Sequence, residues 1–184
     1  NVAIGGSTLF ANTTADNNVA VGNYSLDANT TGAGNTAVGT SALGANTTAA
    51  ENTAVGYVAL STNTTGTSNA AFGRGALQVS TTGSSNTAVG FNALNETTTG
   101  SNNTAVGQEA LKKTTEGGSS TAVGLRAGCA ITTGLCNTLL GQSAGDNITT
   151  GARNVIIGKS SHPSAADGTD QSVIGHDICL FYTS

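Results

Sequence analysis

Tryptophan and methionine are absent from this sequence, proline occurs once, and aromatic residues make up only 4% of the 184 residues. Charged residues are also scarce, at 9% against roughly 25% in a typical soluble domain. So little charge excludes a charged disordered tail, and a net charge of −4 excludes the basic face that a nucleic-acid-binding protein needs. No run approaches the roughly 18 apolar residues of a membrane helix, so we expect no membrane contact from this segment.

Threonine, glycine and asparagine are abundant instead, with 31, 26 and 19 copies. Glycine and threonine are poor helix formers, so the composition excludes a helical protein. Because large side chains are few, an ordinary globular core would be thin. We therefore expect the chain to be ordered by something other than one compact core.

The chain repeats every 17 residues without insertion or deletion, on the pattern Asn-Thr-Ala-Val-Gly-x-x-Ala-Leu-x-x-Asn-Thr-Thr-Gly-x-x. We number its positions one to seventeen. The repeats begin at Asn1, Asn18, Asn35, Asn52, Asn69, Asn86, Asn103, Ser120, Asn137, Asn154 and Gln171. Position five is glycine in every repeat, and these structural glycines are Gly5, Gly22, Gly39, Gly56, Gly73, Gly90, Gly107, Gly124, Gly141, Gly158 and Gly175.

This period predicts an all-β parallel β-solenoid, because it is too short for helical-hairpin repeats and suits one coil with two or three short strands. A single coil cannot bury its apolar face, so neighbours stack along an axis. At one strand spacing per coil, the rod is about 50 Å long. Ten full coils cover residues 1–170, and residues 171–184 form a partial eleventh coil and a C-terminal cap or junction.

Positions three and four are both apolar, as in Ala20 and Val21. Neighbouring residues of a strand point to opposite faces, so both faces of this strand are predicted to be buried. One face lines the coil interior. The other needs a partner, and the simplest partner is another copy of the chain.

Positions nine and twelve exchange volume between coils. Leucine at position nine gives way to Gly128 and Gly145 in the coils where position twelve becomes Ile131 and Ile148. Interiors are close-packed, so this exchange predicts that the two positions share one pocket.

The remaining regular positions predict corners and ladders. Glycine at positions five and fifteen marks corners, because glycine adopts backbone angles that other residues resist. Asparagine at position one is expected to stack as a hydrogen-bonded ladder from coil to coil. Threonine at position thirteen, from Thr13 to Thr149, is expected to form a second ladder.

The variable positions carry nearly all of the charge and most aromatic residues, so we expect them to face solvent and to determine binding specificity. The candidate surface-contact residues are Tyr24, Tyr57, Arg74, Phe91, Arg126 and Lys159.

The register weakens towards the end of the chain. Residues 162–167 replace the usual leucine and Asn-Thr-Thr, and they include the only proline, Pro163. Terminal repeats of solenoids are commonly atypical. The apolar tail Ile178–Tyr182 is a cap, a junction with a following domain or a remnant of cloning. Because the chain opens in mid-pattern at Asn1, we expect further coils or another domain before it.

The motif Asn-Thr-Ala-Val-Gly-x-x-Ala-Leu with Asn-Thr-Thr-Gly, and most closely residues 1–5 and 154–158, resembles the head repeats of trimeric autotransporter adhesins, the YadA-like heads. Similar repeats occur in bacteriophage tail-fibre proteins. The resemblance extends through Gly175, although those heads usually have a shorter period. It implies a left-handed β-roll, a homotrimer, an extracellular place on a bacterial surface or virion fibre, and adhesion to a host glycan or protein receptor.

The sequence shows no catalytic, cofactor or metal motif. His162 and His176 are out of register with each other, and a metal site needs three or four converging ligands. Three cysteines allow a disulfide between Cys129 and Cys136, with Cys179 left over, or buried free thiols.

The favoured function is therefore a non-enzymatic adhesive fibre segment, and two alternatives stay open. An ice-binding solenoid would need a flat face with at least two outward ranks of threonine. A polysaccharide-degrading tailspike would need two carboxylates at a set separation, for which Glu96, Glu109 and Glu116 are the candidates.

Overall fold

A computed structural model describes residues 1–179 of the chain. The predicted cap or junction beyond Cys179, which includes the last three residues of the apolar tail, lies outside the described residues. None of the described residues forms a helix long and apolar enough to cross a bilayer.

Eleven parallel strands form one sheet in which every strand pairs with the next strand along the chain. Partner residues are one repeat apart, as in Val2 with Val19, so the predicted parallel β-solenoid is confirmed. The strands are β1 (Val2–Ile4), β2 (Val19–Val21), β3 (Thr36–Val38), β4 (Thr53–Val55), β5 (Ala70–Phe72), β6 (Thr87–Val89), β7 (Thr104–Val106), β8 (Thr121–Val123), β9 (Thr138–Leu140), β10 (Val155–Ile157) and β11 (Ser172–Ile174).

Each coil contributes one strand of three residues, so the prediction of two or three strands per coil was wrong. Non-glycine residues at positions seven, nine and seventeen have left-handed backbones, such as Tyr24 with φ 55° and Leu26 with φ 50°. These residues end the extended geometry and curve the chain. Coil-to-coil bonding continues in the curve nonetheless, since the Leu26 amide donates to the Ala42 carbonyl over 3.1 Å.

The core is a narrow column of small and medium side chains inside the coils. Alanines at positions three and eight, such as Ala88 and Ala93, and leucine at position nine, such as Leu94, are fully buried. The predicted inward face of the strand is therefore that of position three, whereas position four points outward. The core gains its size by repetition along the axis rather than by large side chains.

The predicted pocket shared by positions nine and twelve is confirmed. A side chain added at Gly128 would meet Ile131 Cδ1 at 3.1 Å, and one added at Gly145 would meet Ile148 Cδ1 at 2.9 Å. Leu139, which replaces the usual alanine of position three, also enters this space. Close packing thus explains why leucine at position nine and isoleucine at position twelve do not occur together.

Both the backbone angle and the packing between coils require glycine at position five. Its φ lies in a region closed to other residues, for example 135° at Gly90, and a Cβ there would lie 2.6 Å from the carbonyl oxygen of Gly107. Glycine at position fifteen differs from the prediction, because it has no positive φ and is replaced by buried Ala15 and Ala49. Its role is close approach between coils and not a special backbone angle.

Both predicted ladders are present. The Asn86 Oδ1 accepts the Asn103 amide over 3.0 Å, and its Nδ2 donates across the coil to the Gly100 carbonyl over 2.8 Å. This asparagine is buried, and both of its polar ends are satisfied, as buried polar groups require. In the threonine ladder, each hydroxyl donates to the carbonyl of the equivalent residue one coil on, as Thr30 does to Thr47 over 3.0 Å.

The register persists through the atypical last coils. Strand β11 pairs with β10 in the same parallel register as the others. Around Pro163, the His162 amide donates to the Ile178 carbonyl over 2.8 Å. Stacking therefore continues to the end of the described residues despite the departure from the motif.

Candidate functional site

Three of the six predicted contact residues lie together. Tyr57, Arg74 and Phe91 occupy position six of three consecutive coils, so the stacking of coils places them one above the other. Both rings flank the guanidinium, with Arg74 Cζ 5.8 Å from the Tyr57 ring centroid and 5.5 Å from the Phe91 ring centroid. These are distances at which a cation and an aromatic ring attract each other.

The other three predicted contacts are separate from this stack. Tyr24 and Arg126 occupy position seven of the second and eighth coils, and Lys159 occupies position six of the tenth coil. All three are exposed, as predicted. Arg126 donates to Cys129 Sγ over 3.9 Å, and this contact raises its pKa further above the ordinary arginine value.

A cleft of about 260 Å³ opens beside the stack. Gly75 forms part of its lining, and Gly75 is the one glycine at position seven. In the other coils this position carries a side chain. A Cβ at Gly75 would contact the Asn92 amide oxygen directly. The missing side chain therefore leaves room for the cleft.

Three amide side chains that sequence reasoning missed also line the cleft, together with Val58, namely Gln78, Asn92 and Asn95. The Asn95 Nδ2 donates to the Gly75 carbonyl over 2.8 Å and lies 3.3 Å from Gln78 Oε1 and 3.4 Å from Asn92 Oδ1. A signal for two of them existed in the sequence, because position ten carries a side-chain amide only in the fifth and sixth coils, at Gln78 and Asn95.

The electrostatics of the cleft are those of a lone cation. Within residues 1–179, the Arg74 guanidinium has neither an ion pair nor a hydrogen bond to the protein, and no carboxylate lines the cleft. By contrast, Arg153 is bound by both oxygens of Asp170, at 2.6 and 2.7 Å. Arg74 is thus held by aromatic rings and keeps its donors available.

A second exposed surface runs the length of the sheet. Position four points outward with an apolar side chain in every coil: Ile4, Val21, Val38, Val55, Phe72, Val89, Val106, Val123, Leu140, Ile157 and Ile174. We call this the outer apolar rank. Val106 is 36% exposed, Phe72 41% and Ile174 69%. Within residues 1–179 no other strand packs over the outer apolar rank, although Val21, Val38, Val55, Val123 and Ile157 are half-buried among their neighbours. Burial of this outer face, the second half of the prediction for positions three and four, therefore depends on a partner.

The other candidate groups do not converge. All three cysteines are free, with Cys129 half-buried and Cys136 and Cys179 exposed. His162 lies 3.2 Å from Asp146, and His176 lies 3.0 Å from Asp177. Within residues 1–179 no three metal-ligating side chains come together.

The three glutamates considered for catalysis take different positions of the coil. Glu109 occupies position seven, Glu96 position eleven and Glu116 position fourteen. Glu109 is engaged by Lys112, with 3.3 Å between Oε1 and Nζ. No stacking relation of the solenoid therefore aligns these carboxylates, since coils superpose equal positions only.

The surfaces of this solenoid must be interpreted from their own geometry. Comparison of the chain with protein-family models, with curated proteins and with solved structures found no match.

Proposed function

We propose that the chain is a non-enzymatic segment of an adhesive fibre, in which three copies assemble side by side along the outer apolar rank. As in the YadA-like heads that its motif resembles, the coils wind left-handed and the fibre is extracellular, on a bacterial surface or a virion. The observation that carries the proposal is the outer apolar rank itself, which runs through all eleven coils. Monomeric soluble proteins rarely expose an apolar surface of this extent.

The spacing of the rank favours copies of the same chain as its partner. One apolar side chain recurs at each strand spacing, about 4.8 Å, over about 50 Å. A second solenoid has the same repeat distance, so every coil finds an equivalent partner with no loss of register. Covering the rank in this way removes apolar area from water, which is the main driving force for association.

The assembly leaves the variable positions free to bind. Tyr24, Arg126 and Lys159 are exposed on the coil surface, and three copies would repeat each such group around the axis. Multivalent contact then gives slow dissociation from a surface even when each site binds weakly. The partners we propose are the chain itself and a glycan or protein receptor on a host surface.

The two alternatives have less support. On the outward face of the sheet, threonine at position two lies beside the outer apolar rank, as Thr87 lies beside Val89. The Thr13 rank is engaged in the hydrogen-bonded ladder, while the Thr14 rank is exposed. In the described part of the chain, a pair of adjacent exposed threonine ranks is therefore not formed, and no carboxylate lines the cleft that could hold a saccharide.

The test compares the wild-type chain with Val89→Lys/Val106→Lys, which places two charges in the outer apolar rank. Thr82→Lys/Thr99→Lys is the matched control, because both threonines are exposed outside the strands. All three proteins are passed over an array of printed surface glycans and matrix proteins. We expect wild type and control to dissociate about 10²- to 10⁴-fold more slowly than the rank variant.

Two outcomes would overturn the proposal. If the wild-type chain binds none of the printed components, the adhesive role is contradicted. If all three proteins dissociate at equal rates, the multivalent assembly is contradicted. Incubation of the same glycans with wild type also checks the non-enzymatic part, since release of shortened saccharides would contradict it.

A further inference from the structure

We propose that the cleft beside Tyr57, Arg74 and Phe91 binds a sugar that carries a carboxylate, such as a uronic or sialic acid residue of a glycan. The inference deepens the proposed function and rests on it, because it names the ligand class of one adhesive site.

Departures from the repeat converge on this place. Tyrosine and phenylalanine occur at position six only in the fourth and sixth coils, and arginine occurs there only in the fifth, between them. Glycine at position seven and amides at position ten fall in the same coils, at Gly75, Gln78 and Asn95. A purely structural repeat has no reason to gather its exceptions in three adjacent coils. A binding site does, because its groups must lie within reach of one ligand.

The cleft offers hydrogen-bond donors in excess. The Arg74 guanidinium has five N–H donors, none of which is engaged by residues 1–179. The Asn95 amide orients Gln78 and Asn92 by lying close to their oxygens, so their NH₂ groups are left to donate to a ligand. A ligand for this cleft must therefore be rich in acceptors.

A carboxylate meets this demand better than a neutral group. The planar guanidinium fork matches the two oxygens of a carboxylate, and such charge-assisted hydrogen bonds are the strong ones. Because a ring lies on each side of the Arg74 guanidinium, its N–H groups can donate hydrogen bonds only within the guanidinium plane. Among residues 1–179, no acidic side chain lines the cleft to compete for the cation.

The rest of the cleft suits a sugar ring. Ligand sites combine aromatic walls with a few placed polar groups, and here the walls are Tyr57 and Phe91 while amides supply the polar groups. The C–H face of a pyranose packs against an aromatic ring, and its hydroxyls exchange hydrogen bonds with the amides. A cleft of about 260 Å³ is of the size of a single sugar and not of a folded peptide.

The experiment is saturation-transfer NMR and calorimetry on the full chain with methyl β-D-glucuronide and the methyl glycoside of N-acetylneuraminic acid. Methyl β-D-glucoside is the neutral match, glucose 6-sulfate tests the anionic group, and an acidic peptide tests the other class of ligand. We expect one of the two carboxylated sugars to bind roughly tenfold more tightly than the glucoside. Higher salt should weaken it, since the cation is exposed.

Three variants locate the site. Arg74→Gln removes the charge, and Gly75→Ser fills the cleft while keeping Arg74, since serine is accommodated with a positive φ at Ser41, the same position of another coil. Both are expected to lose at least about tenfold in affinity for the sugar. Lys113→Gln, an equal change of charge at an exposed residue outside the cleft, should leave affinity unchanged.

The outcomes separate this inference from the proposed function. Tighter binding of glucose 6-sulfate or the peptide, absence of binding by both carboxylated sugars, or equal affinity in Gly75→Ser, would overturn the assignment of the cleft, whatever the state of assembly. A chain that binds the sugar as a monomer would instead overturn the multivalent fibre and leave the assignment of the cleft standing.

Discussion

At the scale of the residue, glycine at position five allows the coils to stack closely. The Gly90 backbone has φ 135°, and a Cβ there would lie 2.6 Å from the Gly107 carbonyl oxygen. The coils of this region approach each other too closely for any side chain. Backbone conformation and packing therefore make the same demand, which explains why glycine recurs there in every coil.

Gly90→Ala is expected to lower the free energy of unfolding by about 2–4 kcal/mol, because it combines backbone strain with a clash against backbone. Guanidinium unfolding followed by circular dichroism, at equal protein concentration, measures the change. Gly44→Ala is the control, since a Cβ at Gly44 meets nothing closer than 3.4 Å and its φ is not positive. Equal losses in both variants would contradict the role of position five.

The pocket shared by positions nine and twelve gives a second prediction at this scale. Leu94 and Thr97 are both fully buried, and the Thr97 hydroxyl has no hydrogen-bond partner among residues 1–179. Leu94→Gly should cost about 3–5 kcal/mol through the cavity it leaves. Adding Thr97→Ile, which recreates the Gly128 and Ile131 arrangement, should recover more than half of that loss.

A double-mutant cycle measures this coupling. Thr97→Ile alone should destabilise by about 1–3 kcal/mol, because it overfills a pocket that leucine occupies. The control is Leu94→Gly with Thr99→Ile, at an exposed residue, which should recover nothing. Additive effects of Leu94→Gly and Thr97→Ile would show that the two side chains do not compete for one space.

At the scale of the element, each short strand is stabilised more by the ladder beside it than by its own length. Three-residue strands offer few ladder bonds. The asparagine at position one continues the bonding past the end of each strand, since its Oδ1 accepts the amide of the next coil and its Nδ2 reaches across its own coil. The buried amide therefore closes the coil and joins it to its neighbour.

Asn86→Ala should lower the free energy of unfolding by about 2–4 kcal/mol, because it leaves a buried amide and a buried carbonyl unpaired. Asn86→Ser should cost about half as much. Ser120 occupies this position in the eighth coil and its Oγ still accepts the Asn137 amide over 3.1 Å. Thermal unfolding compares the stability of the two variants. An alanine variant as stable as the serine variant would contradict the role of the side-chain hydrogen bond at position one.

The ion pair between Arg153 and Asp170 joins two neighbouring coils, and its contribution to stability is expected to depend on pH. The hydrogen bond from Arg153 lowers the pKa of the Asp170 carboxyl below its ordinary value. A lowered pKa in the folded state stabilises the fold above the ordinary carboxyl pKa of about 3.9, and the effect disappears as pH falls through the lowered value. The stability difference between wild type and Asp170→Asn should therefore be constant near neutral pH and shrink below about pH 4. Unfolding midpoints measured across that range check it.

Sequence reasoning reached the solenoid, the ladders and the shared pocket because each depends on residues that recur at one spacing. It overestimated the number of strands per coil because left-handed residues such as Leu94, with φ 50°, are not evident from residue type. It predicted Tyr57, Arg74 and Phe91 each as a surface contact, but not that they lie together in one site. The amides Gln78 and Asn95 were missed because the cleft is formed by residues that depart from the repeat, whereas the sequence predictions rest on residues that recur in it.

At the scale of the whole molecule, residues 1–179 form a thin column in which none of these residues covers the apolar outer face of the sheet. Its interior holds alanines and one leucine or isoleucine for most coils, and its sheet presents the outer apolar rank to solvent. A partner along the rank would supply the second core that the coil is too slim to provide. Assembly and stability are therefore expected to be linked.

This linkage is directly measurable. Dilution of the wild-type chain should lower its unfolding temperature, because partners that bind only the folded chain stabilise it by mass action. Val89→Lys/Val106→Lys should be less stable than wild type and insensitive to concentration. An unfolding temperature of wild type that is independent of concentration would contradict the linkage.

The mass of the chain in solution, determined by light scattering on the eluate of a sizing column, distinguishes a trimer from a monomer. If three copies cover one another's outer apolar rank, the expected mass is about 54 kDa, three times the chain mass of 17.9 kDa. A mass of about 18 kDa at micromolar concentration would contradict it, since the rank would then stay exposed to water without a partner.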